Sequence, residues 1–285
     1  MICFANDTLT IVSRPSLSEA CLDAAEDAER LMSYMSSNYL VANGTKTKML
    51  IFRPGRGESQ EMSITINGDK IIESEAEKLL GLFISNDLQW GVHIRQMVAA
   101  LNQRIAMMKR LSYHIPGDCL RQLAHRLVLS KIRYGIAVYG TTRLSEQSPT
   151  TNLMHQLEVV VNDTMRLIEG KKRKDRISIE SLREKTKLPS ANQLTIQAIL
   201  MEAWKIKHGH AEAIADLMTD LRERDIITRA IAQGHVEVPV GGKNTLGSFS
   251  HQSAKLWNDL PTDIKHEEVK NRARNKIRNY ALSFP

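Results

Sequence analysis

The apolar residues of this 285-residue chain change their spacing near Trp90, and that change restricts the fold more than any other feature. Before it, short runs alternate with a period of two, as in Ser63-Ile64-Thr65-Ile66, which is followed by Asn67-Gly68 and then by Lys70-Ile71-Ile72. Alternation flanking Asn-Gly is the pattern of a tight β-hairpin. After it, Ile94, Met97, Val98, Leu101, Ile105, Met108 and Leu111 recur at steps of three and four. That is the stripe of an amphipathic helix. A single switch from hairpins to helices predicts an α+β chain, with its strands gathered in the first third.

The chain opens MICFANDTLTIV, two strand-forming runs on either side of Phe4-Ala5-Asn6-Asp7. Thr8 to Ser13 reads as a strand that Pro15 ends. Ser16 stands where a helix N-cap would, with Glu19 in the capping-box position, and apolar residues from Leu17 to Met35 keep helical spacing over 17–37. Asn43-Gly44 marks a turn, Met49 to Phe52 a short strand, and Arg53 to Glu61 a polar loop. Leu79 to Ile84 reads as a strand interrupted by Gly81. Beyond Trp90 the periodicity predicts helices over 93–111, from Asp118 as cap to Tyr139, and over 150–168, 178–185, 190–208, 211–221 and 266–282. The glycine-rich stretch 234–250 reads as loop or short extended pieces.

Charge divides at the same place. Residues 1–90 hold 8 Lys and Arg against 13 Asp and Glu, net −5; the whole chain holds 39 against 32, so residues 91–285 hold 31 against 19, net +12. A basic back half suits a polyanion, and equally a solvated helical surface rich in lysine. No apolar run reaches the roughly 20 residues of a membrane helix. No basic stretch followed by an apolar core opens the chain, so the expected location is intracellular, nucleus or cytoplasm, and not secreted. Cys3, Cys21 and Cys119 are odd in number, far apart and without a Cys-x-x-Cys, which argues against a disulfide framework and a structural zinc site. His208-Gly209-His210 reads as a solvated helix end. Trp90, Trp204, Trp257 and the stripe Met97, Met107, Met108 lie within apolar patterns and read as core.

Five segments in order resemble the second half of a reverse transcriptase from a non-LTR retrotransposon of the jockey-like kind. Phe4-Ala5-Asn6-Asp7 resembles that family's aromatic-Ala-Asp-Asp hairpin, and Asn43-Gly44-Thr45-Lys46-Thr47-Lys48-Met49 its following Asn-x-x-Lys-Thr-Lys segment. Lys78 to Ile84, Asp87-Leu88-Gln89-Trp90 and His93-Ile94 resemble the primer-grip hairpin and the start of the thumb. Leu129 to Gly135 with Tyr139-Gly140 resembles a thumb helix, and Phe249-Ser250 with Ala254 to Pro261 a C-terminal signature. The resemblance implies the C-terminal part of a polymerase palm over 1–90, a helical thumb over 91–170 and a helical C-terminal domain over 171–285. It implies RNA-directed DNA polymerase activity for the family, with RNA template and DNA primer as partners and Mg²⁺ as the cofactor of the intact enzyme.

Nucleotidyl transfer of that kind uses two Mg²⁺ ions about 3.5–4 Å apart, held by carboxylates. By resemblance Asn6 and Asp7 form a degenerate catalytic pair, with Asp7 the remaining metal ligand. The Asn6 amide is a neutral, weaker donor, and a third acid belongs to an earlier strand of the family. The expectation is that these 285 residues are a fragment that holds no Mg²⁺ tightly and does not polymerise unaided. Asn6-Asp7 is also at home in an ordinary turn. Lys46 could protonate a leaving pyrophosphate, or simply be a solvated turn residue.

A thumb holds nucleic acid through phosphates, for which lysine and arginine suffice. Candidates are Arg95, Arg104, Lys109 and Arg110 on one helix, and Arg121, Arg126, Lys131 and Arg133 on the next. The densest basic run adds Lys171, Lys172, Arg173, Lys174 and Arg176, as phosphate contact, nuclear-import patch or solvated loop. Two other readings stay open: a non-catalytic RNA- or DNA-binding protein, and a helical protein-interaction module using the amphipathic tail Val269 to Leu282.

Overall fold

A computed structural model of the chain describes residues 2–4, 7–40, 46–53, 61–143, 151–221, 233–241 and 247–284. Asn6 and the turn at 43–45, on which sequence readings fall, lie outside the described residues. The described residues are α+β and divide into two units, Met1–His93 and Ile94–Pro285.

In the first unit three antiparallel hairpins each form a two-stranded sheet. β1 (Ile2–Phe4) and β2 (Asp7–Leu9) pair with Phe4 opposite Asp7 and Ile2 opposite Leu9. The strand predicted over Thr8–Ser13 ends at Leu9, because among the described residues the pairing stops there and Thr10 to Ser13 meet no strand that could take their backbone hydrogen bonds. α1 (Leu17–Ser37) begins at Ser16, but the expected capping box is not formed: the Ser16 side chain caps nothing, and the first turn closes through Ala20 N–H to Ser16 C=O at 3.0 Å.

β3 (Ser63–Ile66) and β4 (Asp69–Ile72) join through Asn67 and Gly68, at φ 50° and 86°. Two consecutive positive φ values make the type I′ turn that matches strand twist. α1 packs on β3, and Cys21, Ile66 and Ile71 are buried. The strand predicted over Leu79–Ile84 is a second hairpin, β5 (Ala76–Leu79) and β6 (Leu82–Ser85), folded back at Leu80 and Gly81 with φ 46° and 86°. Gly81 is the one local turn signal; leucine in the left-handed region is unfavourable by about 1–2 kcal/mol, so Leu80 argues against the turn it helps to make. The strand predicted at Met49–Phe52 reduces to one parallel bridge, Met49 to Glu73. Beside it Arg53 grips the Glu73 carboxylate with both guanidinium nitrogens, Nη2 to Oε2 at 2.6 Å.

α2 (Gly91–Leu111) buries Ile94, Met97, Leu101 and Met108 of its predicted stripe, with Val98 and Ile105 half-buried; Leu111, at the helix end, and Met107, read from the sequence as core, are exposed instead. The next predicted helix is broken into four pieces. α3 (Gly117–Leu123) starts after Pro116, with Asp118 inside its first turn rather than capping it. A π-helical run (Ala124–Leu129) leads into α4 (Ser130–Arg133), and Gly135 at φ 70° separates that from α5 (Ile136–Tyr139). The apolar stripe runs through all four pieces, so periodicity does not register the breaks. α6 (Asn152–Ile168) and α7 (Ile179–Thr186) follow, with side-chain caps from Thr151 and Ser178.

α8 (Ala191–Lys207) is the centre of the second unit. Ser190 and Gln193 close a capping box at its start. Leu194, Thr195, Ile196, Ile199, Leu200, Ala203 and Trp204 are buried, which covers every side of the helix, as expected of one held in a core. α4, α5 and α6 pack against it, as do α9 (Phe249–Asp259) and α11 (Lys270–Ala281), the latter preceded by the short α10 (Thr262–Lys265). The helix predicted over 211–221 is instead a 3₁₀ stretch, Glu212–Leu217, kinked at Ile214. α9 begins inside the stretch predicted as loop, and the tail helix starts at Lys270 rather than 266. Trp204 and Trp257 are core residues whose indole N–H groups donate to Glu267 C=O (2.8 Å) and Gly234 C=O (3.0 Å).

Candidate nucleic-acid interface

The segments that carry the family resemblance are first of all structural. Phe4 and Asp7 face each other across the β1–β2 hairpin, and both are exposed. Asp7 supplies one carboxylate, short of the set a two-ion site takes. Among the described residues no three His, Cys, Asp or Glu side chains converge on a point. Lys46 is exposed. His93 is buried, and its Nδ1 accepts the Phe83 N–H at 3.3 Å, which ties the first turn of α2 to β6 and places the imidazole proton on Nε2. Tyr139 is buried with its phenol donating to Ile132 C=O, and burial pushes its pKa up. Gly140 lets the chain pass close to α8: a Cβ there would lie 2.6 Å from Ile136 O and 2.7 Å from the Thr195 methyl.

The basic candidates separate into engaged and available groups. The Arg104 guanidinium donates to Leu127 C=O and so fastens α2 to the π-helical run. Arg121 pairs with Asp118 at 3.2 Å, and Arg173 with Asp163, Nε to Oδ1 at 2.8 Å. Asp163 raises the pKa of Arg173 through these hydrogen bonds. Arg95, Lys109 and Arg110 are exposed on α2, off its buried stripe. Arg126, Lys171, Lys172, Lys174 and Arg176 are exposed, and Lys131 is half-buried. The loop around 172–175 is a folded turn, with Lys172 N–H donating to Asp175 Oδ2 at 2.8 Å.

Arg133 has the most distinctive surroundings. It lines a cleft of about 510 Å³ with His125 of the π-helical run, Gln197 of α8, and Arg274, Asn275 and Arg278 of α11. Four of the six lining groups are basic and none is a carboxylate. Desolvation in the cleft, and then Arg278, lowers the pKa of Arg133. Desolvation first, followed by the charges of Arg133, Arg278 and Arg121, holds His125 below the usual imidazole range. Only Arg133 of this set is among the sequence candidates. The local signal for the others was the Arg274–Arg278 pair, one turn apart and flanking the buried Ala273 and Ile277. The apolar side of that tail, Ala273, Ile277 and Ala281, is buried within the second unit, against α8. No described helix is long and apolar enough to cross a membrane. No family model, curated protein or solved structure matches the chain.

Proposed function

We propose that these 285 residues are a C-terminal portion of a non-LTR retrotransposon reverse transcriptase, whose helical part grips the phosphates of an RNA template and DNA primer without performing the chemistry. The carrying observation is the second unit's surface. Apolar stripes build its core, while Arg95, Lys109, Arg110 and Arg126 stand exposed and Arg133 opens a cleft without carboxylates. Phosphate backbones are recognised by such groups with little sequence preference. The resemblance of five ordered segments adds the polymerase context. In this reading Asn6 leaves the magnesium cradle a negative charge short, which removes much of the electrostatic stabilisation that phosphoryl transfer depends on.

Filter binding of single-stranded RNA at several salt concentrations tests the grip. Neutralising Arg95, Lys109 and Arg110 together should weaken binding and flatten the slope of log K against log salt by about 2. An unchanged slope would remove these residues from the interface. Primer extension with Mg²⁺ or Mn²⁺ tests the chemistry: no template-dependent product is expected, and a product would overturn the inactive reading. With Asn6→Asp and a separately supplied palm of such an enzyme, DNA synthesis on RNA is the expected gain. A chain that binds RNA yet never supports synthesis would be a binding protein of another kind.

A further inference from the structure

We infer that the cleft between the π-helical run and α11 is a phosphate-binding site, which takes one phosphoryl group of a nucleic-acid strand. The inference rests on the grip proposed above and adds a defined seat, with residues from three separate stretches of the second unit.

Geometry comes first. In an unbroken α-helix, residues eight apart such as His125 and Arg133 point about 80° away from each other. π-helical bonds join i to i+5, so the run Ala124–Leu129 takes more residues per revolution and turns less per residue. The smaller rotation brings His125 and Arg133 toward a common side, where both line the cleft. Arg274 and Arg278 stand one turn apart on α11 and face them, with Gln197 and Asn275 supplying amide donors.

Charge decides the ligand. Like charges one turn apart on a helix are unfavourable, as is the approach of Arg133 to Arg278. Among the described residues none of the three arginines has an ion pair or a side-chain hydrogen bond. A local rule broken with no compensation inside the chain is expected where a ligand completes the site. One carboxylate would leave most of the positive charge unbalanced. A phosphoryl group offers several oxygens to guanidinium forks that bind in pairs. The cleft volume falls within the ordinary range of ligand sites, about 300–1,000 Å³. The exposed Arg95, Lys109 and Arg110 elsewhere on the unit favour a nucleic-acid strand over a phosphopeptide as the source.

The test uses the full chain. Inorganic phosphate is titrated in while the His125 imidazole and the arginine Nε–H groups are followed by NMR. Bound phosphate should raise the His125 pKa, since an anion favours the imidazolium against the charges of Arg133, Arg278 and Arg121. Arg133→Gln with Arg278→Gln should abolish that rise and weaken RNA binding about tenfold or more. Arg278→Lys keeps the charge and should retain part of both, which guards against a folding defect. Neutralising Arg95, Lys109 and Arg110 should weaken RNA binding and leave the phosphate response intact.

A wild-type His125 that ignores phosphate overturns the inference while leaving the wider grip standing. RNA binding indifferent to every variant overturns the grip itself. A phosphate response that a phosphoserine peptide reproduces, with RNA unaffected by the glutamine pair, overturns the assignment to a nucleic-acid strand.

Discussion

At the scale of single residues, the Arg53–Glu73 pair is the clearest polar contribution to the first unit. Its side chains are 21% and 9% exposed, and Glu73 also accepts the Met62 N–H at 3.4 Å. The hydrogen bonds from Arg53 hold the Glu73 carboxyl below the usual carboxylate range. A carboxyl whose folded pKa is depressed stabilises the fold above its unfolded pKa, about 4.3, and that contribution is lost as pH falls through the lower folded value. Urea unfolding of the first unit should therefore be insensitive to this group above about pH 5 and weaken below about pH 4.5. Glu73→Gln should remove that part of the dependence. Arg53→Ala, which leaves a largely buried carboxylate without its cation, should destabilise the unit by about 2 kcal/mol at neutral pH. An identical pH profile in Glu73→Gln would show that the pair contributes nothing. Neither partner is singled out by the sequence, because they lie 20 positions apart and are brought together by backbone contacts such as the Met49 bridge.

Among the elements, Gly140 shows how a segment read for its family likeness serves packing. Its φ of −78° is ordinary, so the constraint is contact and not backbone strain. The nearest atom to an added methyl, Ile136 O, already accepts the Gly140 N–H at 2.8 Å and has little freedom to move. Gly140→Ala should cost about 1–3 kcal/mol in a denaturant melt. Gly117→Ala, where the new methyl would meet only Ile168 O at 3.8 Å, should be near neutral. Equal effects would refute the close-approach account. The sequence showed the elements unevenly, for local reasons. The Asn67-Gly68 hairpin and α8 were legible because a turn dipeptide and the helical spacing of apolar residues are both local signals. The second hairpin was not, since its left-handed Leu80 contradicts local preference. α9 was hidden by a polar start, Ser248 to Ser253, whose buried Gln252 bonds to Thr142 and Gly140 more than a hundred positions away. The cleft was illegible for the same reason, as it joins residues 125, 133, 197 and 274–278.

For the whole molecule, the contrast between the two units is thermodynamic. The buried apolar side chains described in Met1–His93 are Cys21, Ile66 and Ile71, whereas those of Ile94–Pro285 run from Ile94 to Ala281 through the whole of α8. Burial of apolar area is the main favourable term in folding, so the two should open with different free energies. Native-state hydrogen exchange should find the amides of β1–β2 among the fastest strand amides and those of α8 among the slowest in the chain. Equal protection would contradict the contrast in burial. The same helix has a bearing on the phosphate seat. Both banks of the gap, one from α4 and one from α11, stand on α8 as a common footing. Exchanging an alanine for a valine along that footing would move the banks closer or further apart. The reach of the arginines could thus be retuned through side-chain bulk alone, with every charge left where it is.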